Sequence, residues 1–518
     1  MFDREFDDVV RWLSQPSAYP HRPERVETVE THISVVFLAG EFAYKLKRRV
    51  RYDFLDFTTV AKREAACRDE VRLNRRLTDD VYLGITPITR LPDGGLGFGG
   101  QGRVVDWLVQ MRRLPTEETL DALYRRGQLR DEHVRQLAGR LAEFYGGLTP
   151  LAIEPCEYRQ RYEAHVRGNL KELLAVSHHC PRNQVLRIHG FQSRLLHLQP
   201  WLFDERVGSG RIVEGHGDLR PEHICFTQPL AIFDCIEFSA DFRRIDVADE
   251  LTFLAAECDF LGARWVGPRL FELFQSLTGD RPPQELLAFH KSYRACVRAK
   301  VAALRADQLS GKDRDAAVAE ALAHLNLADS YLRPWSRPIL LIVGGLSGTG
   351  KSTLASELAE LLGCELLRTD VIRQQLLPDD REPAAFNSGN YTAEMRRRVY
   401  DELLRRAQAL LADGVSIVLD GTFSMAETIF AAKRLADESK AIFLAIECHC
   451  RPKIARQRIA RRQTAGSDAS EARPEFHERQ QTLREQWPAD LPQIQIDTEI
   501  KLADQAAQAI AETRLRIT

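Results

Sequence analysis

The chain has no excess of charge of either sign: 72 lysines and arginines stand against 74 aspartates and glutamates, a formal net of −2. So balanced a field gives no reason to expect generic binding to DNA or to a membrane surface. Its 10 cysteines include no Cys-x-x-Cys pair, and the one close pair, Cys448 and Cys450, alternates along a predicted strand. They read as reduced thiols of a cytoplasmic protein. No apolar run reaches membrane-spanning length, and residues 1–8 lack both the basic and the apolar part of a secretion signal. At 518 residues, 44% hydrophobic and 28% charged, the chain reads as an ordinary globular protein too long for one core.

What is there begins with the stretch Gly344-Gly345-Leu346-Ser347-Gly348-Thr349-Gly350-Lys351-Ser352-Thr353, which fits G-x-x-x-x-G-K-S/T without a gap. It follows the apolar run 339–343 and precedes a helical pattern, the context a phosphate-binding loop requires. The backbone N–H groups of Gly345, Ser347, Gly348, Thr349 and Gly350 can turn onto phosphate oxygens. The helix N-terminus at Thr353 adds its dipole, Lys351 reaches the β/γ-phosphates, and Ser352 offers a hydroxyl to Mg²⁺. ATP and Mg²⁺ are the expected cofactors.

Four further strand-like runs follow, at 364–367, 415–419, 441–447 and 493–497, with helical patterns between them, which predicts a doubly wound parallel sheet. Ligands of such sheets lie beyond the strands' carboxyl ends. Asp370 is therefore placed to orient or deprotonate an acceptor hydroxyl, or to serve as a helix N-cap, and Arg373 to hold the acceptor or the phosphoryl group. Asp420 is placed to fix the Mg²⁺ shell. The arginine-dense segment 456–469 has the chemistry of a lid, with Arg458 and Arg462 favoured, Arg456 and Arg461 not separable from them by sequence, and a solvated helix as the plain alternative.

In the first half, β-rich runs at 31–38 and 42–46 read as a hairpin through Gly40, and the run 104–111 as a further strand leading to a nucleotide hinge. Lys45 has the A-x-K setting of a phosphate-holding strand lysine. Glu70 is preferred to Glu64 as its partner on the predicted helix 60–77. The segment His216-Gly217-Asp218 runs through His223 to a second strand ending at Asp234, an order that sets Asp218 beside an attacking hydroxyl and Asp234 on a metal. His178 and His179 read as surface or loop residues.

Residues 25–330 resemble the aminoglycoside phosphotransferase-like branch of the protein-kinase superfamily, whose catalytic loop runs H-G-D-x-x-x-x-N. The resemblance implies that Asp218 is the catalytic-loop aspartate, Asp234 the metal aspartate and Lys45 the phosphate lysine, with Asp246 and Asp249 opening a helix and bracing the loop. Two departures stand out. His223 occupies the place of the metal-binding asparagine, and no glycine-rich loop precedes Thr31. Residues 337–518 resemble small P-loop kinases near polynucleotide 5′-hydroxyl kinase, gluconate kinase and zeta-toxin-type kinases. The pair Asp370 and Arg373 matches the acceptor side of polynucleotide kinases, and no compact AAA+ helical subdomain is evident.

The expected organisation is thus a protein-kinase-like two-lobed domain over 1–330, an extended linker over 331–338 and a P-loop domain over 339–518. The expected function is ATP-dependent phosphoryl transfer to a hydroxyl of a small molecule or nucleic-acid end, with acceptor choice shaped by segments such as 158–203 and 378–391. The competing expectation is an ATP-regulated binding or signalling protein with a degenerate first domain. Oligomeric state is left open by the sequence.

Overall fold

The computed structural model describes residues 4–52, 55–78, 80–335, 337–376, 392–465, 480–482 and 484–517. The chain divides into two compact units, Met1–Ile153 with Arg206–Lys291, and Glu154–Glu205 with Ser292–Thr518.

The first unit opens on a six-stranded antiparallel sheet, ordered Val26–Glu30, Ser34–Ala39, Phe42–Lys47, Arg103–Arg112, Tyr82–Arg90, Leu96–Phe98. The expected hairpin is present, with Ala39 opposite Phe42. Sequence reading missed the edge strand Val26–Glu30, because its alternating glutamates obscure the pattern. Alternation along Phe42–Lys47 turns Lys45 and Lys47 to one face. Toward that face comes the helix Val60–Asn74, whose N-terminus is capped by the Thr59 hydroxyl accepting from the Lys62 N–H. A helical part follows, built on Leu137, Leu141, Leu251, Leu254 and Leu270.

The second unit contains the predicted parallel sheet, ordered Glu365–Arg368, Ile417–Asp420, Ile339–Gly344, Ile442–His449, Gln493–Asp497. Its central strand Ile339–Gly344 is buried along its whole length, as an apolar run covered on both faces must be. Register sets Val343 opposite Asp420 and Gly344 opposite Glu447, so the strand ends that carry chemistry finish level with one another.

Two expectations about organisation need correction. The segment 331–338 is not an extended connector: a helix runs to Leu332, a single 3-10 turn covers Arg333–Trp335, and the Pro338 carbonyl already accepts from the Ile442 N–H at 2.8 Å. The segment 158–203 was expected to shape the first domain's acceptor pocket, yet it packs on the P-loop sheet. In the helix Arg182–Leu198, Leu198 joins the core of Leu354, Leu358 and Leu362. Arg194 Nη1 donates to the Ser416 hydroxyl at 2.5 Å, and that hydroxyl also accepts the Ile339 N–H at 3.0 Å. Gly190 permits the approach, since a Cβ there would lie 2.6 Å from the Gly363 carbonyl oxygen. No helix among the described residues is long and apolar enough to cross a membrane.

Candidate active sites

The strand Ile339–Gly344 delivers the glycine-rich loop to the helix Lys351–Leu362. Gly348 has φ +84° and faces the Ala455 carbonyl oxygen, which a Cβ would approach to 2.5 Å, so only glycine lets the loop close there. Thr349 points inward. Its hydroxyl donates to the Leu346 carbonyl at 2.8 Å, and its own carbonyl accepts from the Thr498 hydroxyl at 2.6 Å. The Ser347 N–H donates to the Gln480 side-chain oxygen at 2.9 Å. Lys351, Ser352 and Thr353 line a cavity of about 520 Å³ together with Arg458, Thr498 and Leu502.

Asp420 is buried at the end of its strand. Burial pushes its carboxyl above the ordinary range, and the nearby Lys351 ammonium and Ser352 hydroxyl offset part of that rise. One oxygen accepts from Arg368 Nε at 3.2 Å, while Oδ1 has no hydrogen-bond partner among the described residues. An orphaned buried carboxylate oxygen beside a serine hydroxyl is a donor set that suits Mg²⁺. Asp370 lies in the first turn of the helix Thr369–Leu376, inside it rather than capping it, and accepts from Arg373 Nη1 at 2.7 Å. Its charge is near enough to push Asp420 further up. Buried Tyr400 supports the same corner: its hydroxyl accepts the Phe423 N–H at 2.8 Å and lies within electrostatic reach of Asp370 and Arg373.

Of the expected lid arginines, Arg458 reaches the cavity beside Lys351 and Ser352. Arg458 donates to the Thr498 carbonyl at 2.7 Å and to its hydroxyl at 3.0 Å, which commits it to the cavity wall formed after the last strand. Arg461 lines the same cavity. The Arg462 side chain and residues 466–479 lie outside the described residues, as does the acceptor segment 378–391. Sequence reading identified the strand ending at Asp497 without crediting the loop beyond it; Thr498, Glu499 and Gln505 all contribute to the wall. The available signal was positional, since loops beyond strand carboxyl ends line such sites.

In the first unit, Lys45 Nζ donates to Glu70 at 2.8 Å and to Asp234 at 2.6 Å, whereas Glu64 pairs with Arg68 on the surface. Burial pushes the Lys45 ammonium down, but the carboxylates of Asp234 and Glu70 more than reverse it, and the net shift is well up. Asp234 is driven the other way: burial raises it, and Lys45 and His223 bring it well below the ordinary range. Sequence reading missed a second buried lysine. Lys47 donates to the other Glu70 oxygen at 2.6 Å and also pairs with Glu237. Glu70 is thereby held by two ammoniums.

Asp218 and His223 lie beside Asp234, with His223 Nε2 3.5 Å from Asp234 Oδ2 and His223 Nδ1 3.7 Å from Asp218 Oδ2. Asp246 opens the helix Val247–Leu261, capping the Ala248 N–H at 2.8 Å. The loop brace is not Asp249, which packs beside His290 at 3.7 Å, but its neighbour Glu250. Glu250 accepts the His216 N–H at 2.9 Å, the Gly217 N–H and the Tyr145 hydroxyl at 2.7 Å.

Residues 340–487 match the family model described as an AAA domain. Across 455 residues, 86% of this chain and 88% of its relative, the sequence is 34% identical to the uncharacterized protein Rv2004c of Mycobacterium tuberculosis. The chain belongs to the same family as that mycobacterial protein. An overlap of this length runs through both units, so the pairing of the two folds is a family property. Among solved structures, a choline/ethanolamine kinase family protein from Mesorhizobium loti is 14% identical, covers 64% of this chain and 99% of its own, and has a TM-score of 0.33. A gluconokinase from Sinorhizobium meliloti 1021 is 16% identical, covers 35% and 94%, and has a TM-score of 0.28.

Proposed function

We propose that the protein is an ATP-dependent phosphotransferase whose P-loop unit transfers the γ-phosphate of ATP to an alcohol, a small molecule or a nucleic-acid end. The observation that carries this reading is the buried Asp420 with its orphaned oxygen, within electrostatic reach of Lys351, Ser352 and Asp370. A loop that only bound nucleotide would not need a second carboxylate, Asp370, with a guanidinium beside it.

Ser352 and Asp420 would hold Mg²⁺, which neutralises charge on the phosphates. Lys351 and the loop amides orient the γ-phosphate. Asp370 accepts or directs the acceptor hydroxyl's proton, and its contact with Arg373 keeps both groups on one side of the helix. Arg458, two of whose five N–H donors are engaged by Thr498, lines the same cavity as Lys351 and Ser352 and meets the nucleotide from that wall. In the first unit Lys45, Asp218 and Asp234 form a second kinase-type set.

The test uses γ-labelled ATP with pools of metabolites, nucleosides and oligonucleotides. Label transfer is expected from the wild type and lost in Lys351→Ala and Asp370→Ala. No transfer to any acceptor, with nucleotide binding intact, would instead support an ATP-regulated binding protein. One observation favours that second reading for the first unit: no glycine-rich loop precedes Lys45. Asp218→Ala separates the two readings there. Unchanged transfer and unchanged binding in that variant would end the claim of an active first unit.

A further inference from the structure

The Ser347 N–H is one of the donors that the phosphate loop offers to an anion, and it is already engaged. It donates to the side-chain oxygen of Gln480 at 2.9 Å. Ser347 is buried, where an N–H left without an acceptor is destabilising, and the carboxamide supplies an acceptor without bringing a charge into the loop. The Gln480 oxygen thereby takes the hydrogen bond that a phosphate oxygen would take.

The residues just beyond Gln480 are fastened beside the loop. The Arg484 guanidinium pairs with Glu447, the residue opposite Gly344 in the sheet. The Glu485 N–H donates to the Ser424 carbonyl at 3.0 Å, and the Glu485 carboxylate accepts the Ala426 N–H at 2.7 Å. Trp487 is held by its indole N–H on the Phe423 carbonyl, and its ring packs on Gly344 so closely that a Cβ there would come within 2.5 Å of it. None of these three anchors uses an N–H of the phosphate loop. An arriving anion can therefore leave them in place, and only the Gln480 side chain has to yield. A phosphate oxygen is equipped to displace it, because hydrogen bonds to a charged acceptor are roughly twice as strong as those to a neutral one.

Resting on the reading of the second unit as a nucleotide-using P-loop site, we infer that Gln480 is a built-in competitor for the phosphate position. Its side chain caps the Ser347 N–H in the empty loop, and nucleotide binds by displacing it. The contact keeps the empty loop satisfied and lowers its affinity for nucleotide.

The test measures binding of the β,γ-imido analogue of ATP with Mg²⁺ to the full-length protein by calorimetry, in wild type and variants. Gln480→Ala should bind it roughly 2- to 10-fold more tightly, the range that one net hydrogen bond supplies. Gln480→Glu should bind it more weakly than wild type, because a carboxylate competes harder for the N–H and repels the phosphates. Hydrogen exchange of the peptide containing Ser347 gives a second readout. Without nucleotide, exchange should be faster in Gln480→Ala than in wild type; with nucleotide the two should be equally protected. A residue that merely supported the fold would instead leave a less stable unit that binds nucleotide no better. Equal or weaker binding by Gln480→Ala would overturn the inference. Lys351→Ala separates that failure from failure of the underlying reading. Loss of binding in Lys351→Ala keeps the P-loop site whatever Gln480 does, whereas binding as in wild type removes the site and the inference with it.

Discussion

A carboxyl pushed up by burial must lose its proton before it can help hold a cation, and Asp420 is in that position. Mg-nucleotide affinity of the P-loop unit should therefore weaken as pH falls through a value above the ordinary aspartate range. Asp420→Asn should bind Mg-ADP roughly 10- to 100-fold more weakly at neutral pH and show no such pH step. Calorimetric titration at several pH values checks both. His216 provides the complementary case in the first unit. Burial pulls its pKa from 6.5 down to about 4, so the folded ring stays neutral with Nε2 donating to the Phe233 carbonyl at 2.8 Å. Since the unfolded chain takes the proton first, this contribution is complete above pH 6.5 and is lost as pH falls towards 4. The loss is on the order of 3 kcal/mol. Acid unfolding of the first unit should therefore begin in that window, and His216→Gln should flatten its pH dependence, as read by circular dichroism.

Among the elements, the helix Arg182–Leu198 has the most to test. Burial lowers the Arg194 pKa to about 10, and its guanidinium bonds the Ser416 hydroxyl beneath the central strand. Arg194→Met should lower the stability of the second unit by roughly 1–3 kcal/mol. Gly190→Ala should cost a similar amount, about 1–3 kcal/mol, because the Gly363 backbone has nowhere to move. Thermal denaturation with and without nucleotide measures each. Nothing in the sequence pointed to this helix's partner, since an apolar face shows that it is buried without showing against what. The same limit explains the brace at the catalytic loop: Asp249 and Glu250 are adjacent, and about 100° of helix rotation decides which one points at the loop. The P-loop, Asp370 and Asp420 were legible because their chemistry is compressed into a contiguous motif and two strand ends. Which of the four lid arginines engages Thr498 was not, because guanidiniums on one helix look alike until Arg458 is seen to bond it.

At the scale of the whole molecule, two compact units imply separable unfolding transitions in calorimetry. A non-hydrolysable ATP analogue with Mg²⁺ should raise the transition of the second unit, by about 2.7 kcal/mol in free energy at a hundredfold excess over the dissociation constant. Lys351→Ala should abolish that rise and leave the transition of the first unit in place. Trp487, whose indole N–H donates to the Phe423 carbonyl at 3.0 Å beside the P-loop, gives a fluorescence signal specific to the second unit once the other tryptophans are replaced by phenylalanine.

The helix Arg182–Leu198 also has a consequence for the order in which the protein is made. It leaves the ribosome long before the sheet that will cover it, with the remainder of the first unit synthesised in between. The part of its apolar face that joins the sheet's core through Leu198 must therefore wait, with the preceding helix Pro155–Ala175 its partner so far, while that unit folds, and the second unit cannot close until translation reaches the strand Ile339–Gly344 and beyond. A slow codon stretch or a stalled ribosome between those points would leave the nascent chain with a finished first unit and an exposed helical surface, a form suited to capture by chaperones.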